Sequence, residues 1–269
     1  MSHFARSTII IAIFFGLDKV LGLGRQILVA REFGLTYQID VFNAANNIPD
    51  LLSALISGGA LGVALIPVLS EYLEKKGRPA LWDVFSRVLN LAFLATAAIA
   101  VLIALFAAPL VRYVIAPGFP PAEQELTVNL MRLDLLAILI FSISGLVMAG
   151  LQANQHFLFP AMAPLFYNLG QIFGILILAP AEGFSIGPIT LPAFGLGIQG
   201  LVFGVILGAL LHLGIQVPGL ILYKFQWTPK INLHNPGVRQ VLALLGPRLL
   251  TMLFIQWYFV FRDNLASQM

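Results

Sequence analysis

Apolar runs of roughly bilayer-spanning length alternate with short polar interruptions along most of this chain. A spanning helix needs about 20 mostly apolar residues. Seven stretches fit, at about residues 7–30, 40–70, 84–108, 126–151, 157–179, 194–223 and 241–261. No period-two alternation persists, which argues against a membrane barrel. The interruptions read as loops. Residues 71–83 are polar and basic, residues 109–125 carry an Ala116-Pro-Gly-Phe-Pro-Pro121 turn, and residues 152–156 are short. Residues 180–192 are rich in Gly and Pro with no basic residue, and residues 224–240 are basic with Pro229, Pro236 and Gly237. Pro and Gly stop helices at such points.

The pattern predicts an all-α, polytopic membrane helical bundle. Its expected organisation is a lobe of about six helices over 1–223, a cytoplasmic linker over 224–240, and a seventh helix over 241–269. Composition agrees: 59% of residues are hydrophobic and 10% charged, against about 25% charged in soluble domains. The first helix is too long for a signal peptide and has no small-residue cleavage site, so it is expected to be retained. Lys and Arg in short loops set orientation. With the N-terminus inside, Arg6, Lys75, Lys76, Arg78, Arg87, Lys224, Lys230, Arg239 and Arg248 lie on the cytoplasmic side, and Arg31 and Arg112 outside. Glycines four apart, such as Gly58/Gly62, Gly170/Gly174 and Gly200/Gly204/Gly208, read as close helix packing.

Several function classes drop out. The absence of Cys removes disulfides, thiol catalysis and Cys metal sites. His156, His212 and His234 have no ligand spacing, so neither metal nor cofactor is expected. The net charge of +3 is scattered rather than massed, so nucleic acid is not a partner. No hydrolytic triad order or Gly-rich phosphate loop occurs, and no enzymatic activity is expected.

What remains is a set of polar groups at bilayer depth, where an ionisable side chain is expensive and usually faces a bundle interior or wet cavity. In the second stretch Asp40, Asn43, Asn47, Asp50, Ser53 and Ser57 recur at three- and four-residue steps, the spacing of one helix face. Phe42, Ala45, Ile48, Leu52 and Leu55 occupy the opposite face. Pro49 removes one backbone bond from this helix and permits a hinge. In the first stretch Lys19 lies near mid-membrane, with Arg25 about 9 Å further along the axis. Six residues apart, the two do not share a face of a straight helix, but Gly16, Gly22 and Gly24 allow a bend that would bring both into one cavity. Arg132 and Asp134 read as interfacial residues near the start of the fourth helix. Trp82, Trp227, Trp257 and Tyr223 read as interfacial aromatics. Cationic groups in a wet cavity favour an anionic ligand, and the planar donor fork of Arg suits phosphate.

The motifs Lys19-Val-Leu-Gly-Leu-Gly-Arg25, Ala30-Arg-Glu-Phe-Gly34, Asp40-Val-Phe42, Ile48-Pro-Asp-Leu-Leu52, Gly58-Gly-Ala60 and Ile66-Pro-Val-Leu-Ser-Glu71 follow in order. So do Ala116-Pro-Gly-Phe119, Asn154-Gln-His-Phe-Leu-Phe-Pro160, Ala163-Pro-Leu-Phe-Tyr-Asn-Leu-Gly170 and Gly246-Pro-Arg248. Together they resemble the MurJ/MviN lipid II flippases of the MOP exporter superfamily. The resemblance implies alternating access between two helical lobes. The cargo would be an undecaprenyl-diphosphate-linked peptidoglycan precursor, moved from the inner to the outer leaflet of the bacterial cytoplasmic membrane. It implies a lipid-linked anionic substrate and surrounding membrane lipids as partners. It puts the first-helix cavity cations on Lys19 and Arg25, with Asp40 fixing the helix pair or gating the mouth. Ser53 stands where many members carry a basic residue, and Lys19 replaces the commoner Arg. Members have about fourteen spanning helices, so this chain would supply one lobe plus the first helix of the next, with a C-terminal lobe missing. The alternatives are another MOP-type exporter, for a lipid-linked polysaccharide or a drug, and a truncated, non-transporting membrane fragment.

Overall fold

The first helix, α1, spans His3–Phe33 without interruption, about 46 Å of helix. Gly16, Gly22 and Gly24 lie inside it and do not end it. The structure, a computed structural model, describes residues 3–56 and 60–247 together with Leu250 and Phe254. After Gly34, which takes a positive φ of 58° that suits a helix-ending glycine, come α2 (Tyr37–Ile56) and α3 (Ala60–Lys76). These correspond to the expected second stretch, extended at both ends. Ser57, Gly58 and Gly59 lie outside the described residues.

Gly77 and Pro79 open α4 (Arg78–Leu110), which runs into a π-helical turn, Val111–Ile115. Pro120 and Pro121 then start α5 (Pro121–Ala153) five residues before the expected point. Proline is pre-organised for a first helical turn because its missing N–H is unpaired there anyway. α6 (Leu158–Phe173) continues into a second π-helical turn, Gly174–Leu178. The Gly- and Pro-rich loop that follows closes as a two-residue antiparallel ribbon, β1 (Ser185–Ile186) with β2 (Ile189–Thr190).

The expected sixth helix is broken into α7 (Ile198–Gly214) and α8 (Val217–Leu222). Residues 236–247 form a further helix that starts before the expected residue 241. Asn235 Oδ1 accepts from the backbone N–H of Gly237 and Val238, at 3.0 and 3.3 Å, and so caps it. Among the described residues, four helical segments, Arg78–Ile115, Pro121–Ala153, Leu158–Leu178 and Ile198–Leu222, are long and apolar enough to cross a membrane. The chain is a multi-pass membrane protein, and its described residues are mostly helical.

α5 is the central post. It packs against α2, α3, α4 and α7, and is apolar around most of its circumference, as a helix enclosed on several sides must be. Near its N-terminal half, Leu130 and Met131 join Val41, Ala45, Val111, Leu201 and Val202. Near its C-terminal end, Leu146 and Leu151 join Leu65, Leu69, Leu81, Trp82 and Phe85. Trp82 is therefore core rather than interfacial: it is 3% exposed, edge-on to Phe85 and Phe225, and donates its indole N–H to the Tyr223 carbonyl at 3.0 Å. Trp227 is exposed, as expected, and Trp257 lies outside the described residues.

A close helix approach joins α6 and its π-helical extension to α7. A Cβ built on Gly170 would fall 2.4 Å from the Gly208 backbone, and one on Gly174 would fall 2.6 Å from Gly204 Cα. Only glycine permits such an approach, the role expected for these spaced glycines. Gly62 meets only Ala149, at 4.0 Å, and its expected companion Gly58 lies outside the described residues.

Candidate functional site

Between the two clusters along α5, Asp134, Ala137, Ile138 and Phe141 face an open cavity of about 400 Å³. α1 contributes Arg25 and Gln26 to its wall, α2 contributes Asn43, Asn46, Asp50 and Ser53, and α6 contributes Tyr167 and Gln171. Leu201 and Val205 of α7 close the apolar side.

The α2 side follows from its periodicity. Val41, Ala45, Pro49 and Leu52 are buried, and Val41, Ala45 and Leu52 pack in the core. The polar residues of the same helix therefore face away from that core. Asn43, Asn46, Asp50 and Ser53 follow at steps of three, four and three, and these are the four that reach the cavity. Asp40 and Asn47 lie on the exposed side of α2 but do not line the cavity. Asp40 sits in the first turn of α2, where a carboxylate is favoured by the helix macrodipole.

α1 meets α6 along a polar seam. Asn168 Nδ2 donates to Asp18 Oδ1 at 2.8 Å, and Arg25 Nη1 donates to Gln171 Oε1 at 3.2 Å. Asp18, Gly22 and Arg25 thus share one face of α1; a Cβ built on Gly22 would lie 4.0 Å from the Asn168 amide. Lys19 falls off that face. Its side chain is 66% exposed, pairs with Asp18 at 3.3 Å and lies over the Phe15 ring. The expectation that a bend at the glycines gathers Lys19 and Arg25 into one cavity is not met, because α1 runs through all three glycines as a continuous helix.

Arg25 is half-buried, and its tether to Gln171 leaves most of its five donors available to a ligand. Facing it across the cavity are two carboxylates, Asp50 and Asp134. Asp134 is only 4% exposed and is not interfacial. Because α5 begins at Pro121, Asp134 lies about 20 Å along the helix rather than near its end. Misplacing that start is what hid it from sequence reasoning. Asn46 was hidden by its neighbour, since Asn46 and Asn47 fit a three–four spacing equally well. Tyr167 and Gln171 gave no charge signal; the only clue is that they sit one helical turn apart in a segment with Asn168 between them.

A second buried polar group lies behind the cavity wall. His212 Nδ1 is 2.6 Å from Ser144 Oγ, to which Gln216 Nε2 also donates at 2.8 Å. This ties α7 to α5 and satisfies a histidine that sequence spacing had left without a partner. Phe141 stacks edge-on to both His212 and Tyr167, linking the network to the cavity.

The family model for the lipid II flippase MurJ matches residues 29–269. This chain belongs to the MurJ lipid II flippase family. It is 30% identical to a lipid II flippase MurJ of Burkholderia cenocepacia, an alignment covering 98% of this chain and 50% of that protein. It is also 30% identical to a probable lipid II flippase MurJ of Buchnera aphidicola subsp. Acyrthosiphon pisum, covering 87% of this chain and 44% of that protein. The chain spans about half the length of the curated relatives it matches. Its fold is similar to a lipid II flippase MurJ solved in an inward closed conformation, with a TM-score of 0.70 at 23% identity, covering 91% of this chain and 47% of that one. It is equally similar to a MATE in complex with MaD3S, with a TM-score of 0.71 at 15% identity, covering 98% of this chain and 56% of that one. The fold is thus that of one part of a MOP-type transporter.

Proposed function

We propose that this chain forms the N-terminal lobe of a lipid II flippase. In this reading 1–223 is the lobe, 224–240 a cytoplasmic linker, and 241–269 the first helix of a second lobe. The whole transporter moves the undecaprenyl-diphosphate-linked precursor from the inner to the outer leaflet of the bacterial cytoplasmic membrane, with the N-terminus of this chain cytoplasmic.

The observation that carries the reading is Arg25, a cation of α1 held toward a polar cavity by Gln171. Keeping a charge there is costly unless it does work, and a guanidinium fork matches the oxygens of a diphosphate. Asn43, Ser53 and Tyr167 supply neutral polar groups around the headgroup. Lys19, exposed beside Asp18, serves at the cavity's approach rather than inside it, and Asp40 and Asn47 belong to the same wetted face of α2. The lipid tail stays in the membrane while the headgroup crosses through the polar interior.

The test joins this chain to the C-terminal half of the Burkholderia relative and expresses it in a flippase-depleted bacterium. The unmodified fusion is expected to restore growth, Arg25→Lys to restore it poorly, and Arg25→Ala to fail while accumulating in the membrane at normal level. Normal growth on Arg25→Ala would refute the assignment of Arg25 to the headgroup.

A further inference from the structure

The start of α4 and the end of α8 meet at a second pocket, of about 330 Å³, which shares no lining residue with the cavity. Both ends belong to segments long and apolar enough to cross a membrane, and the ends of such segments are where lipid headgroups lie. Beyond α8 the chain runs past α4 without regular structure. Its alternate residues Lys224, Gln226 and Thr228 line the pocket, while Phe225 between them packs edge-on to Trp82 and Phe85. Alternate residues of an extended chain point to opposite sides. From α4 come Arg78 and Asp83.

The charges here are not balanced. Asp83 is engaged by Arg87 through two hydrogen bonds, at 2.9 and 3.1 Å. Arg78 and Lys224 make no ion pair among the described residues. Arg78 is nonetheless fixed. Its Nε donates to Asn154 Oδ1 at 3.0 Å, and its guanidinium lies over the Tyr223 ring, 5.0 Å from the centroid. Its terminal nitrogens keep their donors for a ligand. Thr228 Oγ1, in the same wall, is shut off from solvent and has no partner among the described residues. Lys224 is the sharper signal, because it takes a left-handed φ of 51° just past α8. The Phe225 N–H reaches back to the Leu220 carbonyl at 2.9 Å, the helix-ending turn in which glycine usually holds this place. A side chain there is strained. The lysine bears that strain and brings an ammonium group to the wall that already holds Arg78.

We propose that this pocket binds one phosphate group, held by the guanidinium fork of Arg78 and the ammonium of Lys224. A fork and a separate point donor can share the several oxygens of a phosphate, whereas a carboxylate is filled by the fork alone. The group comes from a phospholipid headgroup or from free phosphate, and the chemistry in the pocket is the same for both. Once bound, it clips the end of α8 to the start of α4, with the end of α5 attached through Asn154. This goes beyond the flippase reading and does not rest on it, since neither Arg25 nor the cavity takes part.

The experiment uses the purified 269-residue chain in a non-ionic detergent. One arm titrates sodium phosphate, with sodium chloride holding the ionic strength constant, and follows the melting temperature. The other counts bound lipid by native mass spectrometry, with phosphatidylglycerol and the phosphate-free diacylglycerol of the same chains. Saturable binding is expected in at least one arm: a response in the first makes free phosphate a source, and preference for phosphatidylglycerol over diacylglycerol in the second makes the headgroup one. Arg78→Gln and Lys224→Gly should each weaken that binding about tenfold or more. Lys224→Gly also relieves the left-handed strain, so its melting temperature without ligand should hold or rise. A merely structural lysine would not separate those two readouts. Lys75→Gln, on an exposed lysine of α3 paired with Glu71, should bind as the unmodified protein does. No saturable binding in either arm overturns the site, and so does unchanged binding by Lys224→Gly. Equal binding of the two lipids with no response to phosphate overturns it as well. A loss in Lys75→Gln as large as in Lys224→Gly also does so, because diffuse surface charge then suffices. Should Arg78→Gln not purify as a single species, Lys224→Gly decides. Growth of the flippase-depleted bacterium is scored separately, so this site and the flippase reading fail independently.

Discussion

Replacing Gln171 tests whether Arg25 works because it is aimed. Gln171 Oε1 holds Arg25 Nη1 at 3.2 Å across the α1–α6 seam, while its Nε2 is buried and donates to nothing among the described residues. A hydrogen bond to a charged group contributes about 1.5–3 kcal/mol. At 3.2 Å and half-buried, the lower end applies, and about 1.4 kcal/mol corresponds to tenfold in affinity. Gln171→Ala therefore should weaken binding of undecaprenyl diphosphate about tenfold, by letting the guanidinium swing away. It should leave the melting temperature nearly unchanged, because the same substitution removes the unsatisfied Nε2. Gln171→Glu keeps the shape and adds a carboxylate against Arg25. Unit charges about 4 Å apart interact by about 4 kcal/mol at an effective dielectric of 20. An incoming anion must compete with that built-in counter-ion, so the loss should reach about a hundredfold or more. Native mass spectrometry of the purified chain, titrated with undecaprenyl diphosphate, measures both. Wild-type affinity in Gln171→Glu would refute the argument that Arg25 meets the headgroup in this orientation.

Three further outcomes follow from packing and titration. Gly174→Ala pushes a methyl group to 2.6 Å from Gly204 Cα and 2.8 Å from the Gly200 carbonyl, so the helices must separate; a loss of about 1–3 kcal/mol is expected by thermal melting. Gly16→Ala meets nothing within 4 Å and should stabilise, by up to about 1 kcal/mol of helix propensity. His156, in the turn between α5 and α6, is pushed below its ordinary 6.5 by burial. The unfolded chain then binds more protons than the folded one, so its contribution to stability is complete above about pH 6.5 and is lost as pH falls below that value. His156→Asn should flatten the fall in melting temperature between about pH 7.5 and pH 5.5 relative to the unmodified protein.

Much of this architecture is legible in the residue pattern because a bilayer leaves few options: each long apolar run must be a helix, and Pro or Gly clusters must be its ends. What failed was local. The start of α5 depends on Pro120 and Pro121 acting as initiators, whereas apolar periodicity alone begins at Leu126. Five residues of error moved Asp134 from the middle of α5 toward its start and removed it from the candidate residues. Lys19 failed for the opposite reason. Position along the sequence does not say which face of the helix a side chain takes. Asp18 at i−7 from Arg25 shares its face, and Lys19 does not. Trp82 shows the same limit, since a tryptophan near a helix start is interfacial only if no aromatic neighbours enclose it.

The division of labour along α6 explains why packing and chemistry are linked here. Tyr167 and Gln171, one turn apart, line the cavity, while Gly170 and Gly174, also one turn apart, face α7. Asn168, between them in sequence, holds Asp18. One short helix thus carries three interfaces at once, each repeating at helical spacing. Moving α6 away from α7 by even an ångström shifts the amide that aims Arg25, because the glycine seam and Gln171 are parts of the same rigid rod. The glycines set the position of the cavity cation as firmly as any residue that touches it.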